Sequence, residues 1–114
     1  IMDKANSFKS DYDANTDINY KFLTRAKSAL AAGDVDKLNK IGKDMGKYYR
    51  LPGAGSDNYG PDPIMINEFI SYSRDLIQRG FDETDHETGK SYHVDFSPKS
   101  AKDLYDNMFG YLDK

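Results

Sequence analysis

The stretch between Asp62 and Gly80 constrains the fold most, because it carries the features of both ends of an α-helix. Asp62 can cap the first turn, Pro63 fits the first helical position, and Gly80 can adopt the left-handed conformation that ends a helix. The positions that recur between them at a spacing of three and four are Ile66, Phe69, Ile70, Ser73 and Ile77, with Leu76 beside them. This spacing predicts a helix over residues 63–79 with one face in a core.

The same arrangement recurs on both sides of this helix. Ser97 and Pro98 begin a C-terminal helix, and Asp34 begins a helix that follows directly on Gly33, which can close the helix before it. The predicted apolar faces are Ile18, Phe22, Leu23, Ala26, Ala29 and Leu30 in the first helix, Val35, Leu38, Ile41, Met45, Tyr48 and Tyr49 in the second, and Ala101, Leu104, Met108, Tyr111 and Leu112 in the last. We therefore expect four principal helices, with a shorter helical piece around residues 8–12.

Two stretches depart from the helical pattern. Residues 51–62 hold three glycines and two prolines, so a long exposed connection is expected there. In residues 81–96, apolar and polar side chains alternate after a turn sequence at 87–90, which predicts a short β-hairpin. The side chains expected to face inward are Tyr92, Val94 and Phe96. The predicted fold is a mainly α domain of four to five helices, with a long Gly/Pro loop and a short hairpin between the last two helices.

The composition narrows the range of functions. At 114 residues the chain suits a single domain, 1–114, in which we expect residues 1–16 to pack loosely. The net charge of -3 and the pI near 5.3 give no field to attract nucleic acid, and without cysteine there is no disulfide or thiolate metal site. No apolar run approaches the roughly 20 residues of a membrane span, and the N-terminus lacks the apolar core of a signal peptide. We expect a cytoplasmic protein that needs no cofactor.

Oxygen-bearing side chains alternate near the N-terminus, at Asp11, Asp13, Asn15 and Asp17. Oxygen ligands at every second position can surround a calcium ion. The calcium-loop pattern requires glycine at its sixth position and glutamate at its twelfth, where this chain has Thr16 and Phe22. A polar turn that caps the following helix is therefore the preferred interpretation, and a calcium site is the alternative.

Both histidines of the chain lie in the predicted hairpin. The groups that could act together there are His86, His93, Lys90 and Tyr92. Two imidazoles with a lysine and a tyrosine could supply the general base, the general acid and the oxyanion stabiliser of metal-independent RNA cleavage. Two imidazoles and a carboxylate could instead hold a divalent metal. The spacing matches no ligand pattern, so exposed histidines without chemistry are the preferred interpretation, with RNA cleavage and metal binding as alternatives.

Pairs of glycines occur at two places. Gly42 and Gly46 lie four residues apart on the predicted second helix, where they let another backbone approach closely. Packing within the fold is the preferred interpretation of this pair. Gly53 and Gly55 are not followed by the lysine–serine or lysine–threonine pair of a phosphate-binding loop, so the connection does not match that motif.

Tyrosine is the most informative residue type. The chain has nine tyrosines and no tryptophan, and a core of this size cannot bury them all, because each buried hydroxyl needs a partner. Tyrosine is also enriched in protein interfaces, where it combines apolar area with a polar tip. The residues predicted to contact a partner are Tyr48, Tyr49, Asp57 and Tyr59.

These observations favour a small stand-alone binding protein that covers the surface of another macromolecule, as immunity proteins and phage-encoded inhibitors do. Acidic surroundings would select a basic partner surface, for example that of a nucleic-acid-handling enzyme, without contact to nucleic acid itself. One alternative is a ribonuclease- or toxin-like hydrolase that uses His86 and His93. Another is a helical homo-oligomer in which the tyrosines contact a second copy of the chain.

Overall fold

Four helices and one β-hairpin form the part of the chain that the structure, a computed structural model, describes: residues 18–52 and 60–113. The elements in chain order are α1 (18–31), α2 (Val35–Tyr48), α3 (Pro63–Arg79), β1 (Phe81–Thr84), β2 (Ser91–Val94), α4 (Pro98–Phe109) and a 3-10 turn (Gly110–Asp113). The predicted mainly α fold with a hairpin between the last two helices is confirmed. The helix proposed around residues 8–12 lies outside the described residues.

The junction between α1 and α2 is a tight turn in which two residues satisfy the helix ends. Gly33 has a φ of 66° and donates its N–H to the carbonyl of Leu30 at 3.0 Å, while the N–H of Asp34 reaches the carbonyl of Ala29 at 2.9 Å. This pair of bonds is the Schellman arrangement, which favours glycine at the left-handed position. The Asp34 carboxylate then accepts the N–H of Lys37 at 3.0 Å and caps α2.

The other two helices begin where the sequence predicts, and α3 also ends there. Asp62 accepts the N–H of Ile64 at 2.8 Å and caps α3, which ends at Gly80 with a φ of 74°. Ser97 caps α4 by accepting the N–H of Ser100 at 3.0 Å, and the Ser100 hydroxyl accepts the N–H of Ser97 in return at 2.8 Å. The same hydroxyl lies 2.9 Å from the carbonyl oxygen of Asp95, to which it can donate, so it connects the chain after β2 to the start of α4.

One apolar cluster holds the helices together. Its buried members are Phe22, Leu23, Ala26, Ala29 and Leu30 of α1, Leu38, Ile41 and Met45 of α2, Ile66, Phe69, Ile70 and Leu76 of α3, and Ala101, Tyr105 and Phe109 of α4. Edge-to-face ring contacts join α3 to α4, with centroids 5.6 Å apart for Phe69 and Phe109 and 6.0 Å apart for Phe69 and Tyr105. Between α1 and α2, a surface ion pair joins the Arg25 guanidinium to the Asp44 carboxylate at 2.8 Å.

The predicted apolar face of α4 needs a correction. Tyr105 and Phe109 occupy its buried centre, whereas Leu104 and Met108 are only partly buried and Tyr111 is 55% exposed. Positions i, i+4 and i+8 from Ala101 define the centre of the face, and α4 ends at Phe109. The following 3-10 turn winds more tightly, so Tyr111 leaves the apolar stripe.

The hairpin pairs β1 and β2 antiparallel around a turn at residues 86–88. The Asp85 carboxylate accepts the N–H of Glu87 at 2.8 Å, and Gly89 adopts a φ of 70°, which together reverse the chain. Phe96, just after β2, is partly buried, and its ring lies directly over Gly33, so the exit of the hairpin contacts the α1–α2 turn. Tyr92 was predicted to face inward and be buried, but its side chain is exposed.

Candidate protein-binding surface

One face of the hairpin and the neighbouring helices form an aromatic surface. In the observed register Phe81 lies opposite Val94 and Glu83 opposite Tyr92, so these four side chains share one face of the two-stranded sheet. That face is directed towards α4, because all four line a depression that also includes Leu104. Two strands alone cannot bury such a face, and the edge away from the core stays open to solvent.

Two adjacent depressions, of about 280 and 300 Å³, follow this surface. Both are lined by Phe81, Glu83 and Leu104, so they form one continuous concave region. We define the hairpin face by the apolar residues Tyr72, Phe81, Tyr92, Leu104 and Met108 and the acidic residues Glu83 and Asp103. It combines residues of α3, both strands and α4.

The two tyrosines of the hairpin face are exposed, and Tyr72 rests on the partly buried Phe81. Tyr72 is 47% exposed and Tyr92 is 54% exposed. The ring of Tyr72 meets that of Phe81 edge to face, with centroids 6.4 Å apart. Tyr92 is on the predicted side of the hairpin, but on this face the apolar cluster reaches only as far as Phe81, so the Tyr92 ring projects beyond it. The fold thus holds rigid aromatic area where another molecule can contact it.

The rim of the hairpin face is acidic. Glu83 is exposed on β1, and Asp103 is exposed on α4. The ammonium group of Lys99 approaches Asp103 only to 4.0 Å, and both side chains are exposed, so this pair contributes little. The surface therefore offers apolar area bordered by negative charge.

Tyr48 and Tyr49, predicted as contact residues, are half-buried at the end of α2. The hydroxyl of Tyr49 donates to Oδ1 of the fully buried Asn19, and burial raises the pKa of Tyr49. Tyr48 meets Phe22 and Tyr49 edge to face, with centroids 6.1 and 5.0 Å apart. These contacts assign both rings a part in holding α1 against α2. Asp57 and Tyr59 lie outside the described residues.

The histidine hypothesis depends on how the hairpin arranges its side chains. His93 lies opposite Asp82 on the strands, whereas His86 is in the turn, beyond the last strand pair of Thr84 and Ser91. Lys90 stands at the other side of that turn, and Tyr92 points to the opposite face from His93. The register therefore does not bring the two imidazoles to one point.

Both ring nitrogens of His93 face carboxylates. Nδ1 lies 2.8 Å from Asp82 and Nε2 lies 3.3 Å from Asp95. The hydrogen bond with Asp82, opposed by desolvation and assisted by the charges of Asp82 and Asp95, raises the pKa of His93 above its ordinary 6.5. This arrangement favours the imidazolium and links three neighbouring hairpin positions. The two carboxylates hold the imidazole on the face of the hairpin opposite Tyr92, so His93 and Tyr92 do not share a site.

The metal alternatives find no support among residues 18–52 and 60–113. Within those ranges, no group of three or more histidine, aspartate or glutamate side chains is arranged to hold a metal ion. The calcium alternative at Asp11, Asp13, Asn15 and Asp17 lies outside the described residues and stays a prediction.

Sequence reasoning missed the part of the surface that α3 and β1 contribute. Tyr72 does not belong to the buried stripe of α3, so the sequence predicts that it is exposed but gives no contact for it. Phe81 follows Gly80 directly, and its pairing with Val94 becomes evident only from the hairpin register.

Among the described helices, none is both long and apolar enough to cross a bilayer. Comparison with protein-family models, curated proteins and solved structures gives no match to this chain.

Proposed function

We propose that this protein is a small binding module that acts as a stoichiometric inhibitor or immunity-type protein by covering the surface of another protein. The observation that carries the proposal is the hairpin face, where exposed Tyr72 and Tyr92 stand over a partly buried apolar floor. Interfaces are centred on such aromatic anchors, which bury large area at a small loss of side-chain entropy. Tyr48 and Tyr49 then support the fold from which the hairpin face projects.

The charge of the rim defines the partner's chemistry. Glu83 and Asp103 border the apolar floor, so a partner should bring lysine or arginine around an apolar or aromatic anchor. An enzyme that handles nucleic acid has such a basic surface, and covering it would block its substrate. Steering by opposite charges would also make association faster at low ionic strength.

The hairpin face is fixed in place before a partner arrives. The Ser100 hydroxyl connects the residue after β2 to the start of α4, and Phe96 holds the hairpin exit on the α1–α2 turn. A binding surface that is already ordered loses less entropy when it forms a complex. Little movement of the hairpin is therefore expected on binding.

The test is affinity capture from the native host with two tyrosine pairs exchanged. Tyr72→Ser/Tyr92→Ser alters the hairpin face, and Tyr20→Ser/Tyr111→Ser removes two equally exposed tyrosines elsewhere. We expect a stoichiometric partner to be retained by the wild type and the Tyr20/Tyr111 variant. The Tyr72/Tyr92 variant should bind it about 30-fold more weakly or worse, the size of one interface hot spot.

Three results would contradict the proposal. Retention by the Tyr72/Tyr92 variant would place the contact elsewhere, and capture of no stoichiometric partner would remove the proposed role. If light scattering shows that the wild type and the Tyr20/Tyr111 variant are dimers and the Tyr72/Tyr92 variant is a monomer, the hairpin face is a contact between copies of the chain. That result would favour the homo-oligomer alternative. Circular dichroism of both variants checks that their fold is intact.

A further inference from the structure

A groove between α2 and α3 collects positive charge in a chain whose net charge is -3. Its volume is about 640 Å³, and its cationic lining residues are Lys43, Lys47, Arg50 and Arg74. No aspartate or glutamate is among the described residues that line it. The groove lies apart from the hairpin face and shares no lining residue with it.

The charges of this groove are not neutralised by the part of the chain that the structure describes. Among those residues, no carboxylate lies within ion-pair distance of the four cations. Arg74 donates to Oδ1 of Asn39 at 2.8 Å, a neutral partner that fixes its direction and leaves its charge. In the depression between α1 and α2, the Asp44 carboxylate pairs with Arg25 and Lys40, so two of its three cationic lining residues have a carboxylate partner.

Two glycines keep the groove open. Gly42 and Gly46 lie inside α2 and line the groove, and a Cβ at either position would meet no described atom within 4 Å. Thus no described residue packs against them, in contrast to the packing interpretation drawn from the sequence. Glycine inside a helix carries the largest loss of backbone entropy, and here no described contact offsets that loss. Open space above the helix is what the two positions provide.

From these features we propose that the α2–α3 groove binds a small molecule that carries an oligophosphate group. Four cations without carboxylate partners match several phosphate charges, and arginine can bind phosphate oxygens in pairs. The volume lies in the range of small-molecule sites. Leu38 and Ile70 supply an apolar base, and Asn67 adds a carboxamide beside it, so the groove can also hold an organic moiety.

The test is isothermal titration calorimetry of the full chain with two probes, inorganic tripolyphosphate and ATP. Both should bind saturably with one site. Tighter binding of ATP would assign the apolar base to the organic part of the ligand, whereas equal binding would assign the site to the phosphate chain alone. Either result supports an oligophosphate site.

Three variants separate a built site from general attraction. Lys43→Gln/Lys47→Gln should weaken binding about tenfold or more, because two charge-assisted contacts are lost. Lys21→Gln/Lys37→Gln removes the same charge outside the groove and should change affinity by less than about threefold. Gly42→Leu should place a side chain in the groove and abolish binding, while melting at or above the wild-type temperature, because leucine is the better helix former.

Two outcomes would overturn the proposal. The first is absence of saturable binding of either probe at millimolar concentration and low salt. The second is equal weakening by both lysine pairs, with Gly42→Leu still binding, which would mean unspecific attraction. Because the hairpin face is untouched in every variant, these results are independent of the protein-binding proposal.

Discussion

Ser73 and Ser100 make a matched test of how buried hydroxyl groups affect the stability of this fold. Both face the core from a helix, with 0% and 8% of their surface exposed. The Ser73 hydroxyl has no hydrogen-bond partner in the described structure, whereas that of Ser100 contacts Ser97 and the carbonyl of Asp95. Replacing each by alanine should therefore change the free energy of unfolding in opposite directions.

The magnitudes follow from the contacts. A buried hydroxyl without a partner costs about 1–3 kcal/mol, and alanine is also the better helix former, so Ser73→Ala should stabilise the protein by about 1–3 kcal/mol. Ser100→Ala removes one half of a reciprocal cap and the bond to Asp95, which should destabilise by about 1–2 kcal/mol. For a domain of this size each kcal/mol shifts the melting temperature by roughly 4 °C.

Urea unfolding followed by far-UV circular dichroism measures both variants. The slope of free energy against urea should stay the same, so that the midpoints report stability alone. If Ser73→Ala lowers the midpoint, the hydroxyl has a partner and the reasoning fails. An unchanged midpoint for Ser100→Ala would mean that the cap and the bond to Asp95 contribute nothing.

Three further substitutions test other contacts. Gly80→Ala should destabilise by about 2 kcal/mol or more, since its Cβ would lie 2.4 Å from a β2 carbonyl oxygen at a φ of 74°; unchanged urea stability would contradict this. The raised pKa of His93 contributes stability that is fully present below the unfolded-state pKa of 6.5 and lost as pH rises through the folded-state pKa. Asp82→Asn should lower the pKa of His93 measured by NMR and make the decrease of stability with rising pH smaller. An unchanged His93 titration would refute the pairing with Asp82. Tyr49→Phe should lower the free energy of unfolding by about 1–3 kcal/mol, because it removes the donor to buried Asn19. An unchanged melting temperature would contradict the structural role of the Tyr49 hydroxyl.

The helix caps and the buried stripes of α1, α2 and α3 were predictable because they depend on local chemistry. Asp34, Asp62 and Ser97 cap helices through their own side chains, and Gly33 and Gly80 end them through backbone conformation. These interactions span only a few residues, so the sequence order alone contains them.

The candidate surface was less predictable because its residues meet only after the elements pack. Tyr92 has the alternation expected of a strand residue that faces inward. Its exposure, however, depends on how far α4 covers that face of the sheet. Tyr72 and Phe81 come together across the α3–β1 junction, a contact that periodicity does not encode. The cations at Lys47 and Arg74 belong to different helices and likewise become neighbours only through α2–α3 packing.

The contact of the Phe96 ring with Gly33 makes movement of the hairpin detectable at the α1–α2 turn. A bound molecule that displaces the hairpin must disturb this ring, and with it the turn whose amide groups at Gly33 and Asp34 bond to Leu30 and Ala29. Deuterium uptake at these two amides should therefore change if the hairpin moves, although no ligand touches them. Unchanged uptake would identify a complex that forms without rearrangement.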